Sequence, residues 1–186
     1  LEPDDRKRRE IAKHAVSSES EKRIRSMVSL AQSEVFITPE QLDLNPWLLT
    51  CPNGTIDLKT GNLLPHRKEH FISQIAGVHY ESDMECPLWL SFLDRIMDGN
   101  EHLISFLQRA IGYSLTGETT EQCLFIFYGS GANGKTTFLQ TVNSMLGEYA
   151  MQTPTETLLV KNRGAIPNDV ARLKGARFVT ASEAES

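Results

Sequence analysis

A chain of 186 residues can hold one domain with a true core, or two small ones sharing an interface. With 40% hydrophobic and 23% charged residues it is neither a disordered chain nor a membrane protein, and no apolar run approaches the roughly 18 residues that a bilayer requires. The net charge of -5 means that a nucleic-acid partner would have to be met by a local basic patch.

The N-terminus is charged where a secretory signal would be apolar, which predicts a cytoplasmic protein. Cys51, Cys86 and Cys123 are widely spaced, with no CxxC pair or clustered histidines, and are expected to be buried reduced thiols.

Residues 1–35 read as a charged helical connector, because Ile11, Ala15, Ile24, Met27, Val28 and Ala31 recur at loosely helical spacing. The basic run Arg6 to Arg9 is expected on a solvated helix face. Residues 36–117 read as a small α+β domain. Trp47-Leu48-Leu49, Thr55-Ile56-Asp57-Leu58 and Leu63-Leu64, separated by Pro-Asn-Gly and Lys-Thr-Gly-Asn turns, predict a β-hairpin or small meander. Trp47, among aliphatic neighbours, is expected to anchor the core. Leu88, Trp89, Phe92, Leu93, Ile96 and Met97 trace one face of a helix that should stop at Asp98-Gly99. Asn100 then caps a second helix, with Leu103, Ile104, Leu107, Ala110 and Ile111 inward and Gly112 as its C-terminal glycine.

Residues 118–186 carry the chemistry. Cys123 to Tyr128 is a near-continuous apolar and aromatic run, which predicts a strand buried on both faces of a parallel sheet. It leads into GSGANGKT, Gly129 to Thr136, and Phe138, Leu139, Val142, Met145 and Leu146 then recur at helical spacing up to Gly147. A glycine-rich loop between a strand and a helix is the context a phosphate-binding P-loop requires. Chance would place such a pattern in a chain of this length with a probability on the order of 1%, so the loop is read as functional. Gly129, Gly131 and Gly134 allow the backbone to approach phosphate oxygens, with Ser130, Ala132 and Asn133 completing the cradle. Lys135 would reach the β and γ phosphates, the Thr136 hydroxyl would ligate magnesium, and Thr137 continues the first helical turn. Asn133 is expected to shape the turn and to point its amide at the γ-phosphate.

A nucleotide-hydrolysing P-loop site also needs an acidic residue at the end of a neighbouring strand. Arg177 to Ala181 reads as that strand, followed by Ser182 and Glu183. Glu183 is assigned as the water-activating carboxylate, and Ser182 stands where an aspartate often contacts the metal's water. Between the two motifs, Asn168 to Leu173 reads as a short capped helix, and Lys161, Arg163, Arg172 and Lys174 make this the most basic stretch near the site.

GSGANGKTTF after EQCLFIFYG, with IPNDVARLKGARFVTASE downstream, resembles the phage and plasmid primase-helicase family, whose members are superfamily 3 helicases. NPWLLTCPNGTIDLKTG, CPLWLSFLDRIMDGN and FLQRAIGYSLTGETTEQ are similar to the region before the family's helicase core, also found in the poxvirus primase-helicase. The resemblance spans roughly Leu42 to Glu183. It implies an AAA+-like α/β ATPase using ATP and Mg2+, assembled as a hexameric ring around DNA, with a primase domain often in the same parent chain. By position, Gly129, Gly134, Lys135 and Thr136 match Walker A, and Glu183, preceded by Ser182, matches the acidic end of Walker B. A phage or plasmid origin in a bacterial cytoplasm follows from the same resemblance. The family's DNA-contacting hairpin, sensor asparagine and arginine finger lie beyond Walker B, so the expectation is an ATP-binding fragment ending just after it.

The fold class expected is α/β: a truncated P-loop parallel sheet preceded by a small α+β domain and connector helices. The leading functional reading is the ATP-binding portion of a DNA replicative helicase, with the fragment itself poorly active. Two alternatives stay open. One is a non-hydrolysing assembly or DNA-loading module; the other is a P-loop kinase, for which Arg163 and Arg172 are the available lid arginines.

Overall fold

The charged N-terminal stretch folds into two helices, α1 (Asp5–Ser18) and α2 (Glu21–Glu34), in a computed structural model that describes residues 5–34, 36–157 and 168–182. The Ser20 carbonyl accepts from Arg23 N and Ile24 N and so opens the second helix. Lys7, Arg8 and Arg9 are exposed, but so are Ile11, Val16, Ile24, Met27, Val28 and Leu30. Residues 1–42 form one compact unit and residues 43–186 another.

The second unit begins with an antiparallel meander, β1 (Leu48–Cys51), β2 (Gly54–Asp57) and β3 (Asn62–Leu64), in that spatial order. Its turns follow from their residues. Pro52-Asn53 joins the Cys51↔Gly54 pair, and at the second turn the Asp57 carboxylate accepts from Lys59 N while Gly61 adopts φ 75°. Asn53 then exchanges two hydrogen bonds with the Tyr80 backbone, tying the next segment to the first turn. Trp47 is half-buried, not a full core residue, because Lys59 Nζ lies 4.9 Å over its ring at the sheet margin.

Helix α3 (Pro87–Ile96) starts on its proline and ends at Asp98 and Gly99, both in left-handed conformation. Leu93 is buried and Trp89, Phe92, Ile96 and Met97 half-buried, whereas Leu88 is exposed. Helix α4 (Glu101–Leu115) is capped by the Asn100 side chain, which accepts from Leu103 N at 3.2 Å. It runs past Gly112, because Leu115 still has core to pack against, and it closes at Thr116. Leu107 and Ala110 are buried, but Leu103 faces outward.

Helix α5 (Lys135–Leu146) buries Phe138, Val142 and Leu146 and stops at Gly147 in a positive-φ conformation. Strand β4 (Ala150–Pro154), which the sequence did not advertise, pairs in parallel with β5 (Phe178–Ser182), in register from Ala150↔Phe178 to Pro154↔Ser182. The short helix α6 (Asn168–Arg172) precedes β5. One core joins these parts. Leu49, Cys51 and Ile56 from the meander pack with Leu93, Leu107, Phe138, Val142 and Leu146 from the helices.

The fold is mixed α/β with two small sheets, and it differs from expectation at residues 123–128. That run belongs to neither sheet, and Leu124, Ile126 and Tyr128 are 71%, 76% and 89% exposed. Phe127 alone turns to the core, against Phe138 of α5, while Phe125 meets Phe106 of α4 edge-on at the surface. Among the described residues no strand pairs with the run, and no layer covers Leu124, Ile126 and Tyr128. Of the three cysteines, Cys51 alone is buried, with its thiol pushed up by desolvation; Cys86 and Cys123 are exposed and free.

Candidate functional site

The glycine-rich loop occupies residues 129–134, and α5 begins at Lys135. Three residues take positive φ: Gly129 at 145°, Ala132 at 57° and Gly134 at 87°. The first helical backbone bond runs from Phe138 N to Gly134 O, so the N–H groups of residues 135–137 precede the helical ladder at the positive end of the helix. Thr136 and Thr137 are exposed on this first turn, and Gly131 has open space where a side chain would be.

A Cβ on Gly134 would fall 2.6 Å from Ile96 Cγ2 and 3.3 Å from Phe92 Cε2, so α3 lies directly behind the loop. Beneath it, Trp89 stacks on Phe138 with centroids 5.4 Å apart, and Phe127 tilts against the same ring at 5.6 Å. Phe127, two residues before the loop, and Phe138, in the first turn of α5, are thus held by one aromatic cluster. The sequence pointed to Trp89 and Phe92 as a helix face and to Phe138 as another, but gave no sign that they meet.

Lys135 Nζ folds back over the loop, donating to Gly129 O at 3.0 Å, Ser130 O at 3.2 Å and Asn133 Oδ1 at 2.8 Å. The Asn133 carboxamide therefore turns its oxygen toward the ammonium. Lys135, Gly129 and Asn133 meet in these bonds, and Thr136 stands exposed on the first turn beside them.

The second motif is reached through β5. Arg177 N donates to Tyr149 O at the start of the strand, and Thr180 Oγ1 accepts from Asn143 Nδ2 of α5 at 3.1 Å. Arg177 thus pairs just beyond the end of α5 and Thr180 pairs within its C-terminal half, so β5 advances from that end toward the start of the helix. Ser182 is the last residue of β5; its side chain and Glu183 lie outside the described residues, as do Lys161 and Arg163. Arg172 and Lys174 are exposed. Among the described residues no group of His, Cys, Asp or Glu is arranged to hold a metal ion, and no helix is long and apolar enough to cross a membrane.

Arg177 is a residue whose importance the sequence concealed. Its guanidinium donates to Leu48 O at 2.7 Å, Leu115 O at 2.7 Å and Pro46 O at 3.3 Å, and lies 4.7 Å over the Tyr149 ring. Burial lowers its pKa from the ordinary arginine value, with the neighbouring Tyr149 and Asp43 acting the other way. Tyr149 accepts from Thr50 N and donates to Gln74 O, and burial pushes its phenol up. The clasp joins the meander, the end of α4 and the strand that leads to Ser182. A lone arginine before a strand carries no local signal of this role.

With this geometry in hand, residues 2–98 match the family described as D5 N terminal like. The chain belongs to that family. It is also similar to African swine fever virus proteins named "Putative primase", from the Tick/Malawi and Warthog/Namibia isolates. Each is 31% identical over 167 residues, which is 83% of this chain and 17% of the relative. The chain thus spans about a sixth of the length of the curated relatives it matches. Both findings agree with the resemblance to the primase-helicase family drawn from the sequence.

Proposed function

We propose that this chain is the ATP-binding portion of a DNA replicative primase-helicase. The observation that carries the reading is the closed loop at 129–134, with Gly129 and Gly134 at positive φ, the N–H groups of residues 135–137 ahead of the helical ladder and Lys135 reaching across it. A side chain at Gly129 would fall inside the loop against Asn133 Nδ2, and one at Gly134 would drive the loop off α3, so both glycines keep the closed turn that fits a polyphosphate. Lys135 would bind the β and γ oxygens and the Thr136 hydroxyl would hold magnesium, which neutralises the phosphate charge when bound. Ser182 and Glu183 would form the acidic end of Walker B, with Glu183 taking the proton of the attacking water. The direction of β5 toward the loop supports that pairing.

DNA is the proposed partner, in line with the name of the viral relatives, and the ring assembly, the adjoining primase domain and action inside a host cell belong to the same proposal. The truncated P-loop sheet is part of it too: β4 and β5 would be its parallel pair, and 123–128, outside both sheets here, would supply the strand toward the loop. A second reading has one observation behind it, since the family match covers residues 2–98 and ends before the loop. Under it, the upstream region serves assembly or DNA loading without hydrolysis.

Isothermal titration with MgATP separates the two. The first reading expects wild-type binding that Lys135→Ala weakens at least a hundredfold, and in the full-length protein loss of unwinding when Lys135→Ala is combined with Glu183→Gln. No binding to the wild-type chain, or unwinding that survives the double substitution, overturns it.

A further inference from the structure

An ammonium has three donors and no acceptor. In Lys135 all three bonds go to its own loop, and none of the acceptors carries a charge. Two of them are backbone carbonyls, of Gly129 and Ser130. The shortest bond goes to the third, the Asn133 carboxamide oxygen at 2.8 Å, and it is the only side-chain acceptor of the three. To serve a phosphate, Lys135 must give up at least one of these bonds.

The placement of Asn133 is built in. Left-handed residues stand on both sides of it, Ala132 at φ 57° and Gly134 at φ 87°, and this folds its side chain back over the loop. There Nδ2 sits 2.5 Å from where a Gly129 Cβ would be, so the first glycine of the motif makes room for the carboxamide. Ala132 holds a left-handed conformation that is unfavourable for a residue with a Cβ. An exposed loop gains from it a parked lysine.

We infer that Asn133 is a positioning residue that latches Lys135 across the ligand-free loop, and that nucleotide binds by displacing Lys135 from the Asn133 oxygen. This rests on the nucleotide reading above and deepens it. The Asn133 oxygen offers the ammonium only a dipole, whereas a phosphate oxygen brings a full opposite charge, so the phosphate outcompetes the carboxamide. The latch sets how much charge a ligand needs. A polyphosphate opens it readily, a singly bound anion poorly. The expectation that the Asn133 amide donates to the γ-phosphate predicts the opposite sign for its removal.

The test is calorimetric titration of this chain with MgATP, with thermal melting as the control for folding. Asn133→Ala frees the ammonium and is expected to bind about fivefold more tightly than wild type, roughly the worth of one exposed hydrogen bond to a charged group. Asn133→Asp leaves a carboxylate beside the ammonium and is expected to bind at least tenfold more weakly. If Asn133→Ala melts below wild type, Asn133→Ser carries the test, since its short side chain withdraws the acceptor while keeping a polar group in the turn. Weaker or unchanged binding in the Ala or Ser variant overturns the latch while leaving the nucleotide site standing. Absence of binding to wild type itself removes the nucleotide reading and the latch with it.

Discussion

The two flanks of the glycine-rich loop are about equally apolar and end very differently. Downstream, α5 buries Phe138, Val142 and Leu146 almost completely. Upstream, Leu124, Ile126 and Tyr128 stay open to solvent although the run reads as a core strand. A helix satisfies its own backbone and needs cover along one stripe only, whereas a strand needs a neighbour on an edge and a layer on each apolar face. Apolar composition states a demand for burial; long-range pairing decides whether it is met.

The largest effect should come from the point where the flanks touch. Phe138 holds Trp89 and Phe127, and Phe138→Ala is expected to cost about 3–5 kcal/mol in urea denaturation. A loss below 1 kcal/mol would show that the downstream flank is no better anchored than the upstream one.

A smaller effect is expected where the downstream flank ends. Tyr149→Phe leaves Thr50 N without its acceptor and Gln74 O without its donor, a loss of about 1–2 kcal/mol near neutral pH. Burial raises the phenol in the folded state, so its neutral form is favoured there and the stabilisation is complete below the ordinary tyrosine range. It is lost as pH rises through the folded value. Wild type should therefore lose stability above about pH 10, where unfolded tyrosine ionises, and its advantage over Tyr149→Phe should shrink there. Cys51 is raised as well but is common to both proteins, so the difference isolates Tyr149. A constant difference across alkaline pH would contradict the assignment.

The smallest effect sharpens the contrast from the other side. Ile126 is 76% exposed, and Ile126→Asn should change the stability of this chain by less than about 0.5 kcal/mol. A loss comparable to that of Phe138→Ala would mean that a partner covers this flank in solution.

Much of the site was legible because it is local. Gly129 to Thr136 is contiguous, Gly129 and Gly134 take the positive φ that favours glycine, and Asn100 opens α4 and Gly147 closes α5 through neighbours a few residues away. Gly112 misled for the same reason. A glycine is a permissible helix end, but Leu115 beyond it packs on the core and draws the helix on. Cys86 and Cys123 were expected inside because thiols usually are; both stand exposed at the start of their segments, Cys86 ahead of α3 and Cys123 at the head of the 123–128 run.

The sequence by itself determined the loop, the helix that follows it, the meander and its turns, and the resemblance to a primase-helicase. Tertiary structure alone decided the parallel pairing of β4 with β5, the one-sided cover of residues 123–128, and the seat of Gly134 against α3. It also decided the partners of Arg177, whose guanidinium meets carbonyls 131, 129 and 62 residues away along the chain. Backbone carbonyls are present at every residue and leave no mark in the sequence, so only the folded chain reveals which of them an arginine will reach.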